Sequence, residues 1–404
     1  MKKLMSLTGG AVLLVSLVGC GGGSSEGNAG GSGDSKGAGS VELIVWESLE
    51  GPDEFIRQAG AKYTEGHPNV TIKFVNVELG DSSGQIALDG PAGKGPDVFA
   101  APHDRLGELV AGGHILPTAN PAAIDVQESA VKALTYDGAM YGYPVSSETY
   151  ALFYNKAFVT DPPKTWDEVS DFSVDFNAAN PGKYGFVMSV GEGYYTILFT
   201  TSKENRLFGP DGTDTSSTNI NSAASAAGME QFAELRPTLD IPAADLGTDA
   251  VDALFSGGAA AMHVTGPWNI KPFTEAGIDF GVTTLPALAG DVEPAASFSG
   301  TRGMFVSAYS EHPDAAADFA AFLTSADMQK LRYDITGALP VVEIAVDSAA
   351  AEGLIEQLNY AFPMPSIPQM GAFWDAMNSA SANIWNGADI QAELDAADST
   401  ILAQ

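Results

Sequence analysis

Cysteine is almost absent: Cys20 is the only one in 404 residues, so neither a disulfide framework nor a thiolate metal site can be built. Basic residues are scarce too. Nineteen lysines and arginines stand against 51 aspartates and glutamates, a net charge of −32. A surface of that sign repels nucleic acid, phosphates and anionic lipid heads, and suits a neutral ligand or a cation. The five histidines (His67, His103, His114, His263 and His312) are scattered and share no metal-ligand spacing. Gly93-Lys94 is followed by Gly95 and lacks the upstream glycine of a phosphate-binding loop. No internal repeat is visible, no run is long enough to span a bilayer, and no cofactor or metal is implied. A monomer is expected.

The chain begins with Lys2 and Lys3 and a short apolar run from Ala11 to Val18, the pattern of a signal peptide over residues 1–19. Leu17-Val18-Gly19-Cys20 resembles the bacterial lipobox, whose cysteine is acylated and becomes the mature N-terminus. The alternative is an ordinary signal peptide with an incidental cysteine. Residues 21–40 contain no large apolar side chain and cannot help build a core. Residues 20–40 thus read as a lipidated flexible tether reaching about 25 Å. An extracytoplasmic module anchored to the cell membrane through Cys20 is the expectation.

From Val41 onward about 360 residues exceed what one core holds, so two lobes are expected. Short apolar strands alternate with helical spacing: Val41–Trp46, Pro52–Glu65, Val70–Val77, Gln85–Leu88, Asp97–Ala101, His103–Val110. A second series runs from Ala151–Tyr154 through Gly258–Val264. Alternation of this kind predicts an α/β fold with mainly parallel sheets and flanking helices. Ligands of such folds sit at the carboxyl ends of the strands. That rule selects the loops Glu47–Gly51, Ala101–Arg105, Gly191–Tyr195 and Gly266–Trp268.

Each of these loops carries an acid, an arginine or an aromatic. Carboxylates accept two hydroxyl hydrogens, arginine donates in a planar fork, and tyrosine and tryptophan faces suit the apolar face of a sugar ring. Taken singly, Asp104 could merely cap its helix, Arg105 could be a solvated charge and Trp268 could be core. A further stretch stands out: Pro363-Met364-Pro365-Ser366-Ile367-Pro368 must run extended, and Gly371 releases it into a helix over Phe373–Ile384. Trp374 then sits in the first turn of that helix, as a core plug or as a platform offered to a ligand. Trp46 and Trp166 read as core, and Trp385 reads equally as either.

Several short stretches in one order resemble the maltose- and maltodextrin-binding proteins of bacterial ABC importers. They are Gly95-Pro96-Asp97 with His103-Asp104-Arg105, Tyr154-Asn155-Lys156, Pro162-Pro163-Lys164-Thr165-Trp166-Asp167-Glu168, Gly266-Pro267-Trp268, Gly281-Val282-Thr283-Thr284-Leu285-Pro286 and the segment through Trp374. The resemblance covers nearly all of residues 41–404. It implies a two-lobed, periplasmic-binding-protein-like fold with the ligand cleft between the lobes and closure by hinge motion. It also implies an N lobe of 41–146 plus 299–345 and a C lobe of 151–297 plus 351–404. Glu50, Asp104, Arg105, Glu148, Glu192, Tyr194, Trp268 and Trp374 match the family's sugar contacts. The partners it implies are a malto-oligosaccharide and the membrane subunits of an ABC permease, without catalysis. Gly51, Ala101, Pro102, Asp375 and Asn378 depart from the family pattern. Arg302 stands where the family is apolar, as a hinge ion pair or as a new ligand contact.

Two other readings remain. One is a receptor for a different oligosaccharide. The other is a serine hydrolase, because Gly80-Asp81-Ser82-Ser83-Gly84 fits the nucleophile-elbow pattern between a strand and a helix. In a chain with 45 glycines that cluster also reads as a plain turn.

Overall fold

The computed structural model describes residues 39–403 except 203 and 347. The leader, Cys20 and nearly all of the tether lie outside the described residues. No helix among the described residues is long and apolar enough to cross a membrane.

Two sheets organise the chain. In the first, the strands run in the order Val70–Asn76, Val41–Glu47, Val98–Pro102, Phe298–Val306 and Phe362–Pro363, and Gly142–Glu148 also pairs with Phe298–Val306. The second has the order Phe280–Thr283, Ala151–Asn155, Ala260–Thr265, Tyr184–Val187. Helices cover both, giving two α/β lobes.

Parallel pairing holds for the opening strands Val41–Glu47, Val70–Asn76 and Val98–Pro102. It does not extend as far as expected. Phe298–Val306 runs antiparallel to Val98–Pro102 and to Gly142–Glu148, and two of the three pairings in the second sheet are antiparallel. The cause is local. Only Thr149 and Tyr150 separate Gly142–Glu148 in the first sheet from Ala151–Asn155 in the second. A strand that arrives straight from the other sheet is not bound by the crossover helix that parallel neighbours need.

The first helix shows how sequence sets the elements. Pro52 occupies its first turn with Asp53 and Glu54, and the Asp53 side chain accepts the Gly51 N–H at 3.1 Å. Phe55, Ile56, Ala59, Gly60 and Tyr63 form the buried stripe, each large member stabilising the fold by about 1.5–3 kcal/mol. A Cβ on Gly60 would lie 3.0 Å from Ile72, so this helix rests directly on the strand Val70–Asn76. The helix Trp166–Ala179 is capped by Thr165, whose hydroxyl accepts the Glu168 N–H at 3.2 Å.

Apolar clusters line both faces of the first sheet, one around Leu43, Phe55 and Phe319, the other around Trp46, Phe99 and Phe305. The second sheet carries a larger core around Phe153, Trp166, Phe199 and Trp385. Trp46 and Trp166 are buried as expected, and Trp385 is core as well, its indole N–H donating to the Ile241 carbonyl at 2.9 Å.

Candidate ligand-binding cleft

The strand ends converge on a cleft of about 550 Å³. All eight residues selected from the sequence line it: Glu50, Asp104, Arg105, Glu148, Glu192, Tyr194, Trp268 and Trp374. Glu50, Asp104, Arg105 and Glu148 stand at strand ends and loops of the first sheet. Glu192, Tyr194 and Trp268 follow strands of the second, and Trp374 comes from the helix Met370–Trp385.

The proline-rich segment is a strap across the junction. Phe362–Pro363 pairs with the start of Phe298–Val306, and a Cβ on Gly107 would lie 2.4 Å from the Ser366 carbonyl. His103 pins the strap from beneath. Its Nδ1 accepts the Thr301 N–H at 3.1 Å, which leaves the proton on Nε2, and Nε2 donates to the Met364 carbonyl at 2.9 Å. Burial lowers the His103 pKa to about 4, so the ring is neutral at physiological pH.

The strap delivers Trp374 half-buried at the cleft wall, with edge-on contacts to Phe298 (6.1 Å between centroids) and Phe373 (5.1 Å). Its indole N–H donates to Asp104 Oδ2 at 3.2 Å. Trp374 is therefore no full core plug. Asp104 itself is buried, and its other oxygen, Oδ1, has no partner. Burial raises the Asp104 pKa to about 6, against the pull of Arg105 (3.6 Å) and the Trp374 N–H. A buried carboxylate oxygen without a donor is costly unless a ligand hydroxyl supplies one.

The aromatics that follow the second sheet's strands pack on the same core as Trp374. The Tyr194 and Trp268 rings are 6.3 Å apart at 48°. Trp268 folds back over its own turn, where a Cβ on Gly266 would sit 2.2 Å from the indole, so only glycine fits. Burial and then Glu148 hold the Tyr194 phenol well above its usual pKa. Glu192 accepts from the Ser189 hydroxyl at 3.0 Å and from the Thr248 hydroxyl, both on Oε1. Oε2 has no protein donor among the described residues. The turn is tied to the helix Met370–Trp385 by the Gly193 N–H, which donates to Asn378 Oδ1 at 2.6 Å. Asn378, a departure from the family pattern, thus serves as a tie.

Arg302 is a buried ion pair on the cleft floor. Its Nη2 donates to Glu47 at 2.5 Å and to the Ser48 hydroxyl at 2.8 Å, and its Nη1 to Glu148 at 3.4 Å. Arg332 holds the other Glu47 oxygen at 3.4 Å. Burial works against the Glu47 carboxylate, but the two guanidiniums outweigh it and keep its pKa below the usual range. Burial brings Arg332 down to about 10. Next along the chain, Glu50 and Gly51 both have positive φ (64° and 121°), a strained turn at the rim of the cleft. A lysine in place of Gly51 would be strained by that φ and crowded by Thr336.

Ala101 is buried in the core and Pro102 lines the cleft, while Asp375 is exposed away from it. Sequence reasoning missed Thr248 and Asp252. Thr248 and Asp252 lie one turn apart on the helix Thr248–Ser256, a spacing that was available in the sequence. Asp252 accepts from His263 Nε2 at 2.6 Å. Ser82 is no nucleophile: it is buried, opens the helix Ser82–Asp89, and its hydroxyl donates to the Leu79 carbonyl at 3.0 Å. Among the described residues no cluster of histidine, cysteine, aspartate or glutamate could hold a metal.

Two α/β lobes thus present an aromatic and acidic cleft. Residues 58–357 match the family of bacterial extracellular solute-binding proteins. The chain belongs to that family. It is 32% identical over 382 residues to a galactooligosaccharide-binding protein of Bacillus subtilis, covering 90% of this chain and 89% of the relative. It is 28% identical over 396 residues to a maltooligosaccharide ABC transporter solute-binding lipoprotein of Streptococcus pneumoniae, covering 93% and 91%. A solved cyclo/maltodextrin-binding protein complexed with maltotetraose superposes with a TM-score of 0.75 at 32% identity, covering 91% of this chain and 98% of that one.

Proposed function

We propose that this chain captures malto-oligosaccharides for a bacterial ABC importer, closing its lobes on the sugar and handing it to the membrane permease. The observation that carries this reading is the Trp374–Asp104 pair. An aromatic face and an under-satisfied buried carboxylate stand side by side, with Tyr194 and Trp268 lining the same cleft. That combination suits a ligand with an apolar ring face and equatorial hydroxyls, and a neutral sugar fits an acidic wall. Glu50, Arg105, Glu148 and Glu192 are the remaining polar contacts of this proposal.

Cys20 is the acylated residue that tethers the protein outside the cytoplasm. The lobes divide near 146–150, 298–300 and 345–350, and the protein acts as a monomer. A second reading, a galacto-oligosaccharide ligand, is favoured by one observation: the Bacillus subtilis relative at 32% identity carries that name. A thermal-shift screen over mono- and oligosaccharides tests the proposal, since a ligand bound only to the folded state raises Tm. Maltotriose and longer glucans should give the largest shifts. No shift with any glucan would remove the malto-oligosaccharide assignment.

A further inference from the structure

Behind the strap lies a second cavity of about 640 Å³, larger than the cleft. Gly300, Thr301 and Met364 are the residues common to both walls, so the strap and one strand separate the two spaces. Their charge differs in sign. The cleft wall holds six carboxylates and two arginines, whereas the rear cavity holds Lys132 and Arg206 against Asp211 alone.

Arg206 is the anomaly. Among the described residues Arg57, Arg105, Arg236, Arg302 and Arg332 all hold a carboxylate within 4.0 Å, and Arg206 holds none. In a chain of net charge −32 an unpaired arginine is unexpected. It is not a loosely tethered surface side chain. Its guanidinium lies over the Phe362 ring, 4.6 Å from the centroid, and its Nη1 is buried without a partner. Its backbone carbonyl is held by the Gly209 N–H at 3.1 Å and by the Asn219 side chain at 2.9 Å. Lys132 is already paired with Glu128 at 2.8 Å, and no ion pair joins Asp211 to Arg206.

We propose that the cavity behind the strap is a second ligand site, for a small carboxylate-bearing molecule, with Arg206 as its charge partner. A guanidinium with one face on an aromatic ring keeps its in-plane edge, here Nε and Nη2, for a planar two-oxygen group. The hydroxyls of Thr213 and Ser299 in the same wall can donate to the rest of such a molecule.

The test uses the full chain, with citrate as the carboxylate probe and phosphate as the tetrahedral one, both against sodium chloride at matched ionic strength. Citrate should raise Tm beyond the chloride control and bind measurably by calorimetry, with phosphate weaker. Arg206→Gln should weaken citrate binding by about tenfold or more, the size of one lost charge-assisted hydrogen bond. Where Arg206→Gln does not fold, Arg206→Lys keeps the charge, loses the fork and should still show the loss. Bound oligosaccharide should not displace citrate. Equal citrate shifts in wild type and variant, no citrate effect beyond chloride, or displacement of citrate by sugar would each overturn the proposal. The first two outcomes leave the sugar assignment untouched, and the third moves citrate into the cleft.

Discussion

The indole N–H of Trp374 donates to the buried carboxylate of Asp104 at 3.2 Å, joining residues 270 positions apart in the chain. The acid that most needs a ligand is thereby fastened to the aromatic that would floor one.

Asp104 should trade stability for binding. Its pKa is raised from 3.8 to about 6 in the fold. The stability it contributes is full below pH 3.8 and is lost as pH rises through about 6, a difference on the order of 2–3 kcal/mol. His103 runs the other way: its pKa falls from 6.5 to about 4, so its contribution is present above pH 6.5 and is lost as pH falls through about 4. Between pH 4 and 6 the two offset each other. Asp104→Asn should therefore melt higher than wild type at pH 8, with the gain vanishing near pH 4, while sugar affinity drops. Melting curves of both proteins over pH 4–8 check this. A variant no more stable than wild type at pH 8 contradicts it.

Trp374 and Trp46 should separate binding from folding. Trp374→Ala should weaken sugar binding by about tenfold or more, as truncation of an aromatic anchor does. Trp46→Ala, in the core, should lower stability by about 3–5 kcal/mol. Trp374→Phe keeps a ring and removes the N–H, so it isolates the bond to Asp104. Calorimetric titration and urea unfolding on each variant distinguish these roles. If Trp374→Ala unfolds the protein and spares affinity, the tryptophan is structural after all.

Arg302→Met should destabilise by about 3–5 kcal/mol, because it leaves the buried Glu47 carboxylate with Arg332 as its only cation. The double variant Arg302→Met, Glu47→Gln should recover part of that loss. Chemical unfolding of the three proteins measures the coupling. A single variant as stable as wild type would show that the ion network contributes little.

Much of the cleft was legible before any coordinates. The strand-end rule chose loops that line the cleft, because a strand's carboxyl end and the following turn are both local features of sequence. The strap was legible because proline dictates its own backbone. What local pattern could not supply was pairing at a distance. An apolar run looks the same in a parallel or an antiparallel neighbour, so the second sheet was read as more parallel than it is. The role of Arg302 depends on Glu47, 255 residues away. Whether Trp374 plugs or presents depends on Asp104, which no periodicity brings near it. The helix Thr248–Ser256 has only Val251 and Phe255 buried, too few to announce a stripe.

Lobe closure should compact the whole molecule. Small-angle scattering with saturating maltotriose should give a smaller radius of gyration than the unliganded protein. An unchanged profile with binding established independently would defeat the hinge mechanism.

The most direct measurement is a calorimetric titration with glucose, maltose, maltotriose, maltotetraose and a galacto-oligosaccharide. Ala101 and Pro102 offer no stacking face on the first-sheet side, while Tyr194, Trp268 and Trp374 remain. A ligand spanning several aromatic subsites should therefore win. Maltotriose and maltotetraose should bind more tightly than maltose, glucose should be barely held, and the galacto-oligosaccharide should be weaker than maltotriose. Maltose equal to or tighter than maltotriose would contradict the specificity argued here, and binding of the galacto-oligosaccharide alone would contradict the assignment itself.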